Sequence, residues 1–380
     1  MLTEAQQAAW DAVEKHGGIA QAARALGRDE RGMRRLIKRA KAAQARQGVS
    51  PEHDINRPVP EILTMSGLSD MRRNSDGLPV WYKFREDREK VAQLMREAVE
   101  AMREEIPAAE PIPAPVTVAD SDLLNLYVLT DFHLGMLAWA EETGDDWDMR
   151  IAEETLMAWF RYAIAHAPPA QTAYFAQIGD LLHFDGLEAV TPASGHILDA
   201  DTRFAKLVRV AIRCLRRAIK MMLGKYQTVV VLMADANHDP SGSVWLREFF
   251  AALYEDEPRV VVDQNCDTYY CYEHGQTCLF FHHGHKRKPG DISKVFAGKY
   301  PEPFGRTRYR YAHMGHLHHI DVREDQLMVV EQHRTLCGKD AYASRGGWLS
   351  ERSSPVITYC KREGEVSRLT VTPNLAARAA

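Results

Sequence analysis

Five times between residues 124 and 318, a run that reads as a buried strand is followed at once by residues that ligate metals. The clusters are Asp131-Phe132-His133, Gly179-Asp180, Asn237-His238-Asp239, His283, and His316-Leu317-His318. Ligands at the ends of successive strands restrict the chain to architectures whose strand C-termini share an edge, where α/β folds build their sites. Two aspartates and an asparagine supply oxygen, and four histidines supply nitrogen. In that order they suit two divalent ions a few ångströms apart with one carboxylate shared.

The surrounding pattern agrees with such a fold. From residue 122 strand-like and helical runs alternate: strand 124–129, helix 149–166, strand 172–178, helix 200–223, strand 228–233, helix 243–254 and strand 258–262. Strands then dominate, at 267–273, 277–282, 308–314, 326–331, 355–360 and 366–371. The spacing predicts an α/β domain over 119–375 with two packed sheets and helices outside. No internal repeat is evident.

The front of the chain differs. Residues 1–48 carry ten Lys/Arg against five Asp/Glu, whereas the whole 380-residue chain has a net charge of −4. A basic head on an acidic body suggests an anionic partner for the head. Ala9, Trp10 and Val13, then Ile19, Ala22, Ala23 and Leu26, lie at helical spacing on either side of Gly17-Gly18. After Gly27 a third helix, 31–46, has an apolar stripe of Met33, Leu36, Ile37 and Ala40. Arg31, Arg34, Arg35, Lys38 and Arg39 occupy its other side. Three short helices with a basic last one resemble a helix-turn-helix domain over about 5–46, so these five residues are the expected DNA contacts. A solvated charged face on a small bundle is the plainer explanation; nine basic residues against two acidic ones in 24–46 favour nucleic acid.

Residues 49–118 join the two. Pro58 and Pro60 exclude helix, Ser75-Asp76-Gly77 reads as a turn between extended pieces, 86–105 as a charged helix, and Pro111, Pro113 and Pro115 as a stiff linker. Six cysteines without a Cys-x-x-Cys pair read as reduced residues of a cytoplasmic protein. No apolar run is long enough to span a membrane, and no signal-peptide pattern follows Met1.

Each ligand cluster is weak by itself, since a lone Asp-x-His is usually nothing and a buried histidine is more often core than ligand. Alternation lets Asp131 and His133, and again His316 and His318, face one side. Gly179 lets the backbone turn sharply before Asp180. Hard oxygen donors with imidazole suit manganese, iron, zinc, nickel or cobalt. Such a set points to metal-assisted phosphoester hydrolysis.

Taken in order over roughly 124–320, the five clusters resemble the calcineurin-like metallophosphoesterases. The resemblance implies a four-layer α/β/β/α sandwich with two divalent ions, manganese foremost. It implies that Asp131, His133 and His318 hold the first ion, that Asn237, His283 and His316 hold the second, and that Asp180 bridges them. His238 would donate a proton to the leaving oxygen and Asp239 would orient His238. Gly179-Asp180-Leu181-Leu182-His183 resembles the DNA-repair-nuclease branch, where a histidine at the place of His183 lies close to the catalytic centre. The whole arrangement also resembles phage-encoded metallophosphoesterases, which would place the protein in a host cytoplasm. Two departures stand out: Ala236 replaces the usual glycine before Asn-His, and His282, His283 and His285 all lie within reach of the fourth motif. His313 and His319 read as supporting residues.

The expected function is therefore a dinuclear-metal-dependent phosphodiesterase, a DNA nuclease tethered to its substrate by the N-terminal domain. The alternative is a phosphatase or small phosphodiesterase acting on nucleotides, and a third is a DNA-binding regulator on a degenerate scaffold. Repair nucleases of that branch are often homodimers with an ATPase partner. The chain has no Gly-x-x-x-x-Gly-Lys-Ser/Thr loop, so an ATPase would be a separate chain.

Overall fold

The computed structural model describes residues 3–46, 112–115, 119–192, 197–347 and 349–378, and the backbone of short strands within 49–86. The contacts divide the chain into two units, Met1–Arg96 and Glu97–Ala380.

In the first unit three helices run Glu4–His16, Ile19–Ala25 and Glu30–Arg46. Thr3 begins the first with a reciprocal capping box to Gln6. Gly17, at φ +72°, ends it in the left-handed conformation. Ala9, Ala12, Ala22, Ala23, Met33 and Ile37 form a small core. Arg31, Arg34, Arg35, Lys38 and Arg39 all point to solvent, and among the described residues only Arg34 is tied down, by Glu30 one turn back. Six short strands follow: β1 (Val49–Ser50) pairs with β2 (Ile55–Asn56), β3 (Leu63–Gly67) with β6 (Lys83–Glu86), and β4 (Arg72–Arg73) with β5 (Pro79–Val80). The expected turn at 75–77 and the expected helix at 86–105 lie outside the described residues, as does most of the Pro-rich linker.

The second unit holds two sheets. The first contains β7 (Asp120–Leu129), β8 (Ala170–Gln177), β9 (Thr228–Met233), β10 (Val260–Val262), β16 (Ser354–Cys360) and β17 (Gly364–Val371), in the order β10-β9-β8-β7-β16-β17. The run from β10 to β7 is parallel, and β16 and β17 close the edge antiparallel. The second sheet contains β11 (Tyr270–His274), β12 (Thr277–Phe281), β13 (Tyr309–Met314), β14 (Asp321–Glu324) and β15 (Val329–Gln332), in the order β11-β12-β13-β15-β14.

Side-chain alternation builds the layers. Leu124, Leu126 and Val128 of β7, with Tyr174, Val230, Leu232 and Ile357, face Tyr270, Leu279 and Phe281 of the other sheet. The opposite faces of the same strands, Tyr127, Leu129, Phe175, Val229 and Val231, pack on helices Met149–His166 and Phe204–Leu223. Beyond the second sheet, Cys278, Phe280, Ala312 and Val330 pack on Ile292 and Phe296 of helix Ile292–Lys299. The result is the four-layer α/β/β/α sandwich the sequence predicts.

Helices Phe204–Leu223 and Pro240–Leu253 begin four residues later and three residues earlier than expected. Strand β14 was not expected, because this edge strand is mostly exposed and lacks an apolar stripe. Helices Ile292–Lys299 and Pro301–Arg306 also escaped prediction; they are short and interrupted by Gly298, Pro303 and Gly305. All six cysteines are free, the nearest pair being Cys271 and Cys278 with Sγ atoms 3.4 Å apart. Among the described residues no helix is long and apolar enough to cross a membrane.

Candidate metal centre

Strands β7, β8, β9, β12 and β13 end at the same edge of the sandwich, and the five clusters sit just past those ends. Backbone bonds lock the loops together. Asp131 N–H donates to the Gly179 carbonyl and His133 N–H to that of Asp180, both at 3.0 Å. Gly315 N–H donates to the His283 carbonyl at 2.8 Å, joining the two loops of the second sheet. His316 N–H donates to Asp131 Oδ2 at 2.8 Å and so ties one sheet's loop to the other's.

Among the described residues, the non-glycine residues with positive φ are Asp131 (+51°), His133 (+47°), Asp180 (+50°), His316 (+76°) and His318 (+56°). All five belong to the expected ligand set. A left-handed backbone costs a residue with a Cβ about 1–3 kcal/mol and persists where the surroundings impose it. Five such residues converge here, so the loops are shaped to aim side chains inward. Glycines make room for them. Gly179 has φ +107°, and a Cβ there would lie 2.6 Å from His283 Nδ1. A Cβ on Gly315 would fall on Thr130 Oγ1 and Asp131 Oδ2.

The seven expected ligands meet. The donor atoms of Asp131, His133 and His318 lie within 4.8 Å of one another, as do those of Asp180, His283 and His316. Asn237 Oδ1 lies 3.1 Å from His283 Nε2. His133, His183 and His238 make a third group with the same closeness. Asp131, His133, Asp180, His183 and His283 are buried; Asn237, His238, His316 and His318 are partly exposed.

The electrostatics call for a cation. His283 Nδ1–H donates to the Ile178 carbonyl at 2.9 Å. Its Nε2 then faces Asp180 Oδ2 at 3.0 Å and Asn237 Oδ1 at 3.1 Å, with Asp131 Oδ1 at 3.9 Å. A neutral imidazole would set its lone pair against oxygen lone pairs, so either a proton or a metal ion must lie between. Without a metal the proton stays: burial opposes it, but Asp180 and Asp131 outweigh burial and raise His283 to about 9. Burial likewise opposes ionisation of Asp131 and Asp180, yet His318 and His283 hold Asp131, and His283 holds Asp180, well below the usual carboxylate range. Asp131 Oδ1 is buried without a hydrogen bond, His318 Nε2 standing 3.2 Å away. Burial and its neighbour His238 push His133 down, and the same two causes push His183 to about 3. Both are neutral imidazoles near pH 7, the form that binds metals. The donor set fits divalent manganese, iron, zinc, nickel or cobalt.

One expectation about a supporting residue needs correction. Asp239 does not orient His238. Its buried carboxylate accepts from the backbone N–H of Asp180 at 3.1 Å and of Leu182 at 2.9 Å, which makes it the clasp of the Asp180 loop. His238 Nδ1–H donates instead to the His183 carbonyl at 2.8 Å. Ala236 needs no special backbone: it is buried, and its φ is not positive. Of the neighbouring histidines, His282 is bonded through Nδ1 to the Thr268 carbonyl and His285 stands 3.8 Å from Asp235. His183 Nδ1 is 3.4 Å from His133 Nδ1, so His183 is at the centre.

Sequence reasoning missed Thr130, whose hydroxyl donates to Asp131 Oδ2 at 2.6 Å, and Thr335, whose hydroxyl donates to the Asp131 carbonyl at 2.5 Å. The dipeptide Thr130-Asp131 carried the first signal; nothing local carried the second. A fourth group, His313, Glu331 and His333, has the closeness of a metal site but is already satisfied. Arg368 takes both Glu331 oxygens, at 2.6 and 2.7 Å. His313 lies between His333 Nε2 at 2.9 Å and Tyr359 Oη at 3.0 Å.

No protein-family model and no curated protein matches this chain. Solved structures similar to it include a conserved uncharacterized protein of Streptococcus pneumoniae described as a predicted phosphoesterase (12% identity, 66% of this chain and 91% of that one, TM-score 0.29). A novel archaeal phosphodiesterase is 11% identical over 66% of this chain and 99% of its own, with TM-score 0.33. Zinc-complexed Vps29 of Entamoeba histolytica is 9% identical over 66% and 99%, with TM-score 0.29.

Proposed function

We propose that this chain is a metal-dependent phosphoester hydrolase with a dinuclear centre, and that its substrate is a phosphodiester of DNA. The observation that carries the reading is the convergence of seven O and N donors on loops whose backbone is held at positive φ in five places. Asp131, His133 and His318 would hold one ion, Asn237, His283 and His316 the other, and Asp180 would be shared between them. Divalent ions there supply Lewis acidity and a water acidified toward neutral pH.

The chain's own groups do the rest. The His183 carbonyl holds His238 Nδ1–H, which fixes the tautomer and leaves Nε2 free to exchange a proton. His238 is partly exposed, so that nitrogen is open to a leaving alkoxide. Asp239 keeps Asp180 in place through two backbone bonds. His183 stands edge-on to His133, their ring centroids 5.3 Å apart. The exposed basic side of helix Glu30–Arg46 serves as the tether, binding phosphates without reading bases.

The test is turnover of labelled single- and double-stranded DNA and of bis-p-nitrophenyl phosphate, with manganese. It compares the full chain with a variant carrying Arg31→Ala, Arg35→Ala, Lys38→Ala and Arg39→Ala. Loss of DNA cleavage with retained small-ester cleavage supports the tethered nuclease. Cleavage of the small ester alone, by both proteins equally, replaces it with a small phosphodiesterase or phosphatase acting on nucleotides.

A further inference from the structure

A cavity of about 320 Å³ is lined by His319, Ile320, Arg334, Lys339, Leu349 and Glu351 among others. We propose that it is a subsite for a nucleotide: a phosphate on Arg334 and Lys339, and a base against Ile320 and Leu349. The proposal deepens the phosphoester reading and rests on it for the link to turnover.

Two walls of the cavity continue the segments that form the centre. His319 directly follows His318, at most about 3.6 Å of extended backbone away. Arg334 directly precedes Thr335, whose hydroxyl grips the Asp131 carbonyl and also accepts from Cys337 N–H at 3.0 Å. On the other side, the Gln332 side chain donates to the His319 carbonyl at 2.9 Å and joins the two walls. A group seated in the cavity is therefore a neighbour of whatever occupies the centre.

Arg334 is the decisive residue. Its Nε is buried and has no hydrogen-bond partner, and the residue takes part in no ion pair among the described residues. The nearby arginines are engaged. Arg352 donates Nε–H to the Leu336 carbonyl at 2.9 Å and faces Asp145 at 3.7 Å, and Arg368 clamps Glu331. A half-buried guanidinium without a counter-charge is costly unless something arrives to pair with it. Its planar fork matches the oxygens of a phosphate. Lys339, also half-buried and without an ion pair among the described residues, adds a second positive charge.

The rest of the lining gives the ligand its second character. Ile320 is 51% exposed and Leu349 80% exposed, large apolar surface left open beside two cations. A flat, weakly polar ring with a phosphate attached covers both features, whereas a bare anion covers one. Glu351 offers an acceptor for an amino or hydroxyl hydrogen of such a ligand. The volume lies at the lower end of ligand pockets, room for one nucleotide rather than a long chain.

The test titrates AMP, adenosine and inorganic phosphate into the full chain with EDTA present, by calorimetry, for the parent, Arg334→Gln, Arg334→Lys and Lys339→Gln. AMP should bind at least tenfold more tightly than adenosine or phosphate. Arg334→Gln should weaken AMP by tenfold or more, and Arg334→Lys and Lys339→Gln by less. The subsite is overturned by AMP affinity that is unchanged in both Gln variants, or by phosphate binding as tightly as AMP. A melting curve matching the parent's establishes that each variant is folded. Bis-p-nitrophenyl phosphate turnover by the parent with manganese separately decides the phosphoester reading, so either idea fails without the other.

Discussion

Gly179 and Ala236 face each other so closely that a Cβ on Gly179 would stand 2.6 Å from the Cβ of Ala236. The loops after β8 and β9 thus accept a methyl group on one side only. This is why Ala236 fits where the resemblance calls for glycine.

Gly179→Ala should therefore be severe, because it adds a clash with Ala236 and with His283 Nδ1 to an unfavourable φ of +107°. Ala236→Gly should keep activity within about twofold and cost roughly 0.5–1 kcal/mol of stability through added chain freedom. Adding Ala236→Gly to Gly179→Ala should rescue little, since the His283 contact and the backbone strain remain. Full rescue in turnover assays would show that the Ala236 contact alone mattered.

Removing metal should destabilise the protein measurably. Cations bound among these donors would take the place of the His283 proton and pair with Asp131 Oδ1, so ions at a hundredfold over Kd should add about 2.7 kcal/mol. For a unit of this size that is a rise in Tm of roughly 5–10 °C, reversed by EDTA. Asp180→Ala should abolish the rise, and bound metal measured by elemental analysis should fall with it. An Asp180→Ala protein that purifies with its full metal content would remove Asp180 from the bridging position.

His238→Ala should retain metal and fold while kcat drops about 10²–10⁴-fold, the range for loss of a positioned proton donor. Because the orienting partner is the His183 carbonyl, Asp239→Asn should act differently, loosening the Asp180 loop and lowering metal affinity. Parallel pH–rate profiles separate the two: only His238→Ala should remove the limb that reports the proton donor. Parent-like turnover of DNA by His238→Ala would end its assigned role.

Glu331 links stability to acid. Burial would raise its carboxyl, but His333 and the Arg368 bonds outweigh burial and lower it to about 2. A depressed carboxylate stabilises the fold at pH above its unfolded value of 4.5 and loses that contribution as pH falls toward 2. On the order of 3 kcal/mol should fade across that window. Glu331→Gln should be less stable at pH 7 and should flatten the acid limb in denaturant titrations. An unchanged acid limb would mean that other groups set it.

On the DNA side, Arg31, Arg35, Lys38 and Arg39 are free of ion pairs among the described residues, whereas Arg34 is held by Glu30. Each free cation that contacts a phosphate should contribute about 0.9 to the slope of log K against log salt. Alanine at Arg35 or Lys38 should lower that slope by nearly one unit, and alanine at Arg34 by less. Fluorescence anisotropy with labelled duplex over a salt series measures it. A slope indifferent to all four would move DNA binding elsewhere.

The layers were legible because the strands of each sheet alternate faces, and both faces are apolar where sheets and helices cover them. The seven donors were legible because their residue types, order and position after strands all coincide. What escaped depends on contacts far apart in sequence. Asp239 sits beside His238 in the chain, so an orienting role was the natural reading; only the fold reveals that its oxygens reach back to Asp180 and Leu182. The His313, Glu331 and His333 cluster carried no local motif because Arg368 and Tyr359, which satisfy it, arrive from β17 and β16. Arg334 gave no local sign of being unpaired, since a missing partner is a property of the surroundings and leaves no motif.

The centre draws Asp131 and His133 from the loop after β7 and His316 and His318 from the loop after β13. His133 and His318 stand 185 residues apart in the chain, yet their Nε2 atoms meet at 3.3 Å. A peptide cut from either sheet alone therefore carries only some of the donors, and the full set exists only where both sheets are folded together.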